Sequence, residues 1–146
     1  MKFNRKTPLI AVAVMALAGA AQAQISDDVV RIGVMGDQTG PYSGNGGPGH
    51  ILGVRMAVED FGGKVNGKNI EVVVADDQNK PDVGTNIARQ WIESEKVDTI
   101  VGNSASSIAL SVSNLMKQHN KPYLVAGTVT SDLTGKACSP MNFQFL

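Results

Sequence analysis

The sequence predicts an α/β fold in which helices cover both faces of a parallel β-sheet. Two observations predict it. From residue 29 onward, short β-branched segments alternate with segments whose apolar residues recur at helical spacing. Glycine-rich or polar turn segments separate them. Such alternation is typical of βαβ units, whose strands run parallel and whose helices pack on the sheet.

Apolar spacing assigns the individual elements, because β-branched runs predict strands and apolar residues three or four apart predict helices. The predicted strands cover residues 29–35, 70–75, 97–101, 122–125 and 142–145. Helices are predicted to begin near residues 51, 79–82 and 104–107, with a single helical turn at 131–134. Residues 36–48 are predicted as a glycine-rich loop, and residues 64–69 as a turn.

The first residues predict a cleaved export signal. Basic residues precede an unbroken apolar run at residues 9–18, and a small-residue cleavage site follows at 21–23. The run is shorter than the roughly 20 residues that a transmembrane helix needs. We therefore predict a signal peptide at residues 1–23 and a periplasmic mature chain at residues 24–146.

Charge and cysteine content exclude some classes of function. Three of the 13 basic residues precede residue 24, which leaves ten basic against 13 acidic residues in the mature chain. Without a basic stripe, no nucleic acid is indicated as a partner. Cys138 is the single cysteine, and in an oxidising compartment we expect it to pack, or to pair with a cysteine outside this sequence.

The stretch Gly44-Asn45-Gly46-Gly47-Pro48-Gly49 matches the dinucleotide-binding pattern G-x-G-x-x-G. In that turn the first glycine directly follows the strand, whereas here Met35 ends the predicted strand nine residues earlier. Asp76 does end the second strand, where a ribose-binding acid would lie. We favour a loop that lines a ligand cleft, with a surface loop and a dinucleotide-binding enzyme as alternatives.

Ligands of open parallel sheets bind beyond the carboxyl ends of the strands. The segments predicted there are residues 37–46, 76–78, 102–107 and 126–131. The last two are rich in small and hydroxyl residues, and one opens a helix, which suits a carboxylate. Tyr42 would supply an aromatic wall with a polar tip.

No catalytic or metal-binding pattern accompanies this cleft. Adjacent Asp76 and Asp77 are a poor chelate without a third ligand, and His50 and His119 are isolated in sequence. The serine-hydrolase pattern G-x-S-x-G fails at its last glycine in residues 102–106. We therefore predict a binding protein that uses no metal, no cofactor and no covalent chemistry.

Several segments in order resemble the start of the periplasmic solute-binding proteins of ABC importers. They are VVRIGVMGDQTGPYSGNG, GVRMAVEDFGG, VVVADDQNKPDVGTNIARQWIESEKVDTIVGNSASS and KPYLVAGTVTSDLTGKACSP. The resemblance is to the leucine/isoleucine/valine-binding type, which has the type I periplasmic-binding fold of two lobes joined by a hinge. Because the sequence ends inside a predicted strand, we expect residues 24–146 to be an incomplete N-terminal lobe.

The resemblance also implies ligand contacts. Ser106 would take the carboxylate of the ligand, with Ala105 and Ser107 beside it, and Gly127, Thr128 and Thr130 would add backbone and hydroxyl contacts. Together with Tyr42 these are the predicted ligand-binding residues. The register of the contacting threonine is open, because the segment reads Gly-Thr-Val-Thr. Ala105 also shows that a disulfide found near strand three in some members is absent.

The implied function is capture of a small solute for import. A branched-chain amino acid, an amide or an aromatic acid would fit, and the partner would be an ABC permease in the inner membrane. The full-length protein would be a monomer. A ligand-sensing receptor ectodomain uses the same fold and remains an alternative.

Overall fold

The computed structural model describes residues 25–102 and 105–145. The predicted signal peptide, Asn103 and Ser104 therefore lie outside the described residues. The described strands are β1 (Val29–Gly36), β2 (Lys64–Val65), β3 (Lys68–Asp76), β4 (Thr99–Gly102), β5 (Tyr123–Ala126) and β6 (Asn142–Phe145). The described helices are α1 (Ser43–Gly46), α2 (Pro48–Asp60), α3 (Pro81–Glu93) and α4 (Ser106–Gln118), with a 3₁₀ turn at Ser131–Leu133. No helix among these residues is long and apolar enough to cross a membrane.

The strands form one sheet in the order β2-β3-β1-β4-β5-β6. All neighbours pair in parallel except β2 and β3. The chain moves from β1 to β3 in one direction and from β3 to β4 in the other. Because βαβ crossovers are right-handed, this reversal places α2 on one face of the sheet and α3 and α4 on the other.

The face under α3 and α4 holds the hydrophobic core. Met35, Ile100, Ile108, Tyr123 and Val125 are fully buried there. The two helices pack against each other on this face of the sheet. Each contributes apolar residues at helical spacing, which is why the sequence pattern identified them.

The opposite face is covered in part. Helix α2 lies against β1 and β3, but none of its residues is buried, and Leu52 is 61% exposed. On β6, Phe143 pairs with Leu124 and Phe145 with Ala126, so both aromatic side chains point away from the core. They are 49% and 59% exposed. In the described chain, this part of the sheet is an open apolar surface.

A polar network fastens the segment before β1 to the amino end of the sheet. The amide of Ser26 donates to Asp98 Oδ1 at 2.8 Å, and Lys121 Nζ donates to Ser26 Oγ at 2.8 Å. Arg31 forms an ion pair with Asp27 at 2.7 Å. The segment is thus held at the end of the sheet opposite the carboxyl ends of the strands.

Most predicted elements are confirmed, and two corrections are needed. The segment predicted as a turn at residues 64–69 forms β2, a two-residue loop and the start of β3. These two strands pair as a hairpin, which adds an antiparallel edge to the parallel sheet. Its two loop residues, Asn66 and Gly67, have φ of 49° and 80°, the left-handed geometry that tight hairpins require. The predicted loop 36–48 contains the short helix α1.

Candidate functional site

A cleft of about 580 Å³ lies at the carboxyl ends of the strands. The chain leaves β1 toward β3 on one side and returns to β4 on the other, so β1 and β4 flank the point where the strand order reverses. Loops on the two sides of such a point diverge and leave a crevice between them. The cleft is lined by Tyr42, Asn45, Asn79, Ala105, Ser106, Ser107, Gly127 and Val129.

The amino end of α4 forms one wall of this cleft. The helix begins at Ser106, and its N-cap is Ala105 in extended geometry, with φ of −89° and ψ of 125°. A methyl side chain cannot accept a hydrogen bond from the first-turn N–H groups, which have no partners within the helix. The wall therefore presents N–H groups and the hydroxyls of Ser106 and Ser107, an arrangement that suits a carboxylate.

Five of the seven predicted ligand-binding residues line the cleft. They are Tyr42, Ala105, Ser106, Ser107 and Gly127. These residues come from three loops that are far apart in the chain, and the parallel register of β1, β4 and β5 brings them together.

Thr128 and Thr130 lie elsewhere. Thr128 is fully buried, and its carbonyl oxygen accepts from Gln144 Nε2 at 2.7 Å. The hydroxyl of Thr130 accepts from the amide of Asp132 at 3.3 Å and so caps the 3₁₀ turn. Between them, Val129 lines the cleft with its side chain 83% exposed. Of residues 128–130, the one that lines this cleft is therefore Val129.

The cleft is also lined by Asn45, which lies in the predicted segment 37–46 but was not among the predicted ligand-binding residues, and by Asn79, which the sequence did not predict there. Asn45 occupies a variable position of the glycine pattern, and Asn79 was interpreted as part of a helix start. In the structure Asn79 has φ of 53°, and its amide donates to Asp77 Oδ1 at 2.9 Å. An aspartate followed two residues later by an asparagine, just after a strand, is the sequence signal that would have indicated a turn at this end of the sheet.

Acidic residues behind the cleft organise its loops. Asp76 Oδ1 accepts from the amides of Gln38 at 3.0 Å and Gln78 at 2.8 Å, and its Oδ2 accepts from Thr39 Oγ1 at 2.8 Å. Partial burial raises the pKa of Asp76, but these hydrogen bonds outweigh it and leave the pKa below its usual value. One carboxylate therefore joins the loop after β1 to the loop after β3.

Asp37 supplies the third acid that the sequence did not place beside Asp76 and Asp77. One oxygen of each lies within 4.8 Å of the others. Asp37 and Asp76 accept hydrogen bonds from N–H and O–H groups of the surrounding loops, and Asp77 Oδ1 accepts from the amide of Asn79.

Residues 29–146 match the family model described as periplasmic binding protein. The chain belongs to the periplasmic binding protein family. This family consists of substrate-binding proteins, which bind small molecules and work with ABC transporters, and not of enzymes. The dinucleotide alternative has no support from this relationship.

Named relatives agree with this assignment. A Leu/Ile/Val-binding protein homolog of Brucella abortus is 31% identical over 134 residues, which are 91% of this chain and 33% of that protein. The chain thus spans about a third of the length of the curated relatives it matches. A periplasmic binding protein of Burkholderia mallei is 42% identical with a TM-score of 0.77, over 79% of this chain and 31% of that one.

A solute-binding protein of an ABC transporter from Rhodopseudomonas palustris was solved with p-hydroxybenzoic acid. It is 29% identical with a TM-score of 0.72, over 80% of this chain and 31% of that one. These structures confirm the predicted fold class, a partial type I periplasmic-binding fold.

Proposed function

We propose that the chain forms one wall of the ligand cleft of a periplasmic substrate-binding protein that captures a small carboxylate-bearing solute. The observation that carries this proposal is the amino end of α4, which opens on the cleft with two serines and an alanine N-cap. A carboxylate placed there would receive N–H and hydroxyl hydrogen bonds. The protein would deliver its solute to an ABC permease in the inner membrane.

The apolar part of the solute would contact Tyr42 and Val129. Both side chains line the cleft, and they are 43% and 83% exposed. Burial of their apolar surface by a ligand is favourable in proportion to the area removed from water. A branched-chain amino acid and an aromatic acid both combine a carboxylate with an apolar body, as the names of the relatives suggest.

The proposed mechanism is closure of the cleft around the solute, with no bond made or broken. A ligand shifts a protein toward the closed state only by binding that state more tightly than the open one. The described lobe supplies a preformed carboxylate site for this purpose. Export through cleavage after Ala23 would place the protein in the periplasm, and N-terminal sequencing of the exported chain tests that step.

NMR titration of the exported full-length protein tests the carboxylate site. The probes are p-hydroxybenzoate and L-leucine, with p-hydroxybenzyl alcohol as a matched control that lacks the carboxylate. We expect the amide signals of Ser106 and Ser107 to move with the acids and to stay in place with the alcohol. Equal shifts with acid and alcohol, or no shift at these amides with either acid, would contradict the proposal.

The substitution Ser106→Ala tests the role of the hydroxyl. We expect it to weaken binding of whichever acid the chain binds by about 1–3 kcal/mol, because a charged acceptor loses a hydrogen-bond donor. The matched control is Ser111→Ala on the same helix, where the hydroxyl donates to the carbonyl of Ser107 at 3.0 Å. Unchanged affinity of the Ser106 variant in the same titration would refute this assignment.

A further inference from the structure

Asp37 is a buried carboxylate at the root of the glycine-rich loop. It directly follows β1, and 2% of its surface is exposed. Its Oδ1 accepts from the amide of Gly40 at 2.7 Å, and its Oδ2 accepts from the amide of Tyr42 at 2.8 Å. A buried carboxylate is costly unless it is hydrogen-bonded, so both oxygens depend on this loop and the loop depends on them.

The close packing of the loop around Asp37 explains two of its glycines. A Cβ on Gly40 would lie 2.5 and 2.6 Å from the two carboxylate oxygens. A Cβ on Gly47 would lie 2.4 Å from the carbonyl oxygen of Ser43 and 2.9 Å from that of Asp37. By contrast, a Cβ on Gly44 or Gly49 would meet nothing within 4 Å, although both belong to the G-x-G-x-x-G pattern.

The amides of the loop are largely committed to acceptors within it. The N–H groups of Ser43, Asn45, Gly46 and Gly47 donate to carbonyl oxygens of residues 40–43, in addition to the two that donate to Asp37. A phosphate-binding loop instead directs such groups outward at its ligand. Here the anion at the centre of the turn is a side chain of the protein itself.

We propose that Asp37 is a positioning residue of the ligand cleft. This role for Asp37 rests on the proposed function in one respect, since the cleft is taken as the ligand site. Through its hydrogen bond to the amide of Tyr42, the carboxylate sets where that residue enters the cleft wall. The glycines of the loop permit the chain to wrap around this internal anion, and they do not hold a dinucleotide.

The test is Asp37→Asn, which preserves size but leaves one acceptor oxygen and one NH₂ group for two amide donors. We expect hydrogen exchange at the amides of Gly40 and Tyr42 to accelerate by at least about tenfold, since a charge-assisted hydrogen bond is lost. Binding of p-hydroxybenzoate or L-leucine should weaken by at least about tenfold as Tyr42 is displaced. Amides of β1 and α4 should keep their protection.

The matched control is Asp76→Asn. It removes the same charge from a carboxylate that also bonds this loop, through Gln38 and Thr39, without touching Tyr42. We expect exchange at the Tyr42 amide to stay close to the wild-type rate in this variant. Equal acceleration of hydrogen exchange at the Tyr42 amide in both variants would overturn the assignment. Loss of protection from exchange throughout β1 in the Asp37 variant would overturn it as well.

A measurement on the unaltered chain covers the case in which the variant does not fold. A scalar coupling across the hydrogen bond, from the Tyr42 amide nitrogen to the Asp37 carboxyl carbon, is expected in the ligand-free protein. Its absence would overturn the assignment. If the wild-type full-length protein binds neither acid, the proposed ligand class fails, whereas the exchange and coupling results still decide the role of Asp37.

Discussion

Val125 and Val129 lie close together in the chain but in different environments. Val125 lies on β5 with 0% of its surface exposed, in the core under α4. Val129 lies in the segment after β5, 83% exposed at the cleft. The same side chain therefore contributes to folding at one position and is available to a ligand at the other.

The substitution of each valine by threonine separates these roles. Val125→Thr should lower the free energy of unfolding by about 1–3 kcal/mol, because it buries a hydroxyl in an apolar site. Val129→Thr should change it by less than about 0.5 kcal/mol, as exposed substitutions do. Urea unfolding measures both. An equal loss of stability in the two variants would show that Val129 is part of the core.

At the scale of elements, β1 and α3 pack closely against each other at Gly33. A Cβ on Gly33 would lie 2.5 and 2.6 Å from the ring atoms Cζ3 and Cε3 of Trp91. Trp91 is 5% exposed. The strand can approach the helix this closely only because residue 33 lacks a side chain.

A pair of glycine-to-alanine substitutions tests this close packing of β1 against α3. Gly33→Ala should destabilise the chain by about 1–3 kcal/mol through overpacking against Trp91. Gly53→Ala is the matched control in α2, where a Cβ would meet nothing within 4 Å. It should stabilise the chain by about 0.5–1 kcal/mol, because alanine favours a helix interior. Thermal unfolding followed by circular dichroism would detect the opposite signs, and the same sign in both would contradict this account.

The sequence predicted those elements whose apolar residues repeat often enough to show a period. Helix α3, with Ala88, Trp91 and Ile92 buried on one side, is of this kind. Strand β2 has two residues, too few for any alternation, and only its Asn66-Gly67 turn carried a signal.

The cleft was predicted in outline because the carboxyl ends of parallel strands converge. The residue that lines it after Gly127 was not predicted correctly. The path of the backbone there determines which of Thr128, Val129 and Thr130 faces the cleft. That path depends on partners distant in the chain, such as Gln144, which donates to the carbonyl oxygen of Thr128.

At the scale of the whole molecule, carboxylates stabilise both ends of the sheet. Hydrogen bonds from Arg31 and from the amide of Val29 hold the pKa of Asp27 below its usual value at the amino end. Asp76 has a lowered pKa at the carboxyl end. In the core, burial and the nearby Asp77 carboxylate raise the pKa of Tyr123 well above its usual value.

These shifts predict a pH range of stability. The folded-state pKa of each carboxyl lies below its unfolded value of about 3.9, so the stabilisation is fully present above the unfolded pKa and is lost as the pH falls through the folded pKa. Tyr123 acts in the opposite sense, since stability falls as the pH rises above about 10, where the unfolded chain ionises. Urea midpoints measured from pH 2 to 11 should form a plateau with two falling limbs.

The variant Asp76→Asn serves as the control for the acid limb, which should become shallower without a change in the alkaline limb. A urea midpoint that does not fall between pH 5 and 2 in the wild-type chain would contradict the prediction.

The anchoring of Ser26 beside Asp98 and Lys121 also makes the chain suitable for attachment to a surface. The first residues that the structure describes lie at one end of the sheet and the cleft lies at the other, separated by the eight residues of β1 or roughly 26 Å. A linker joined ahead of Ile25 would therefore hold the protein on a sensor chip with the cleft facing the flowing sample.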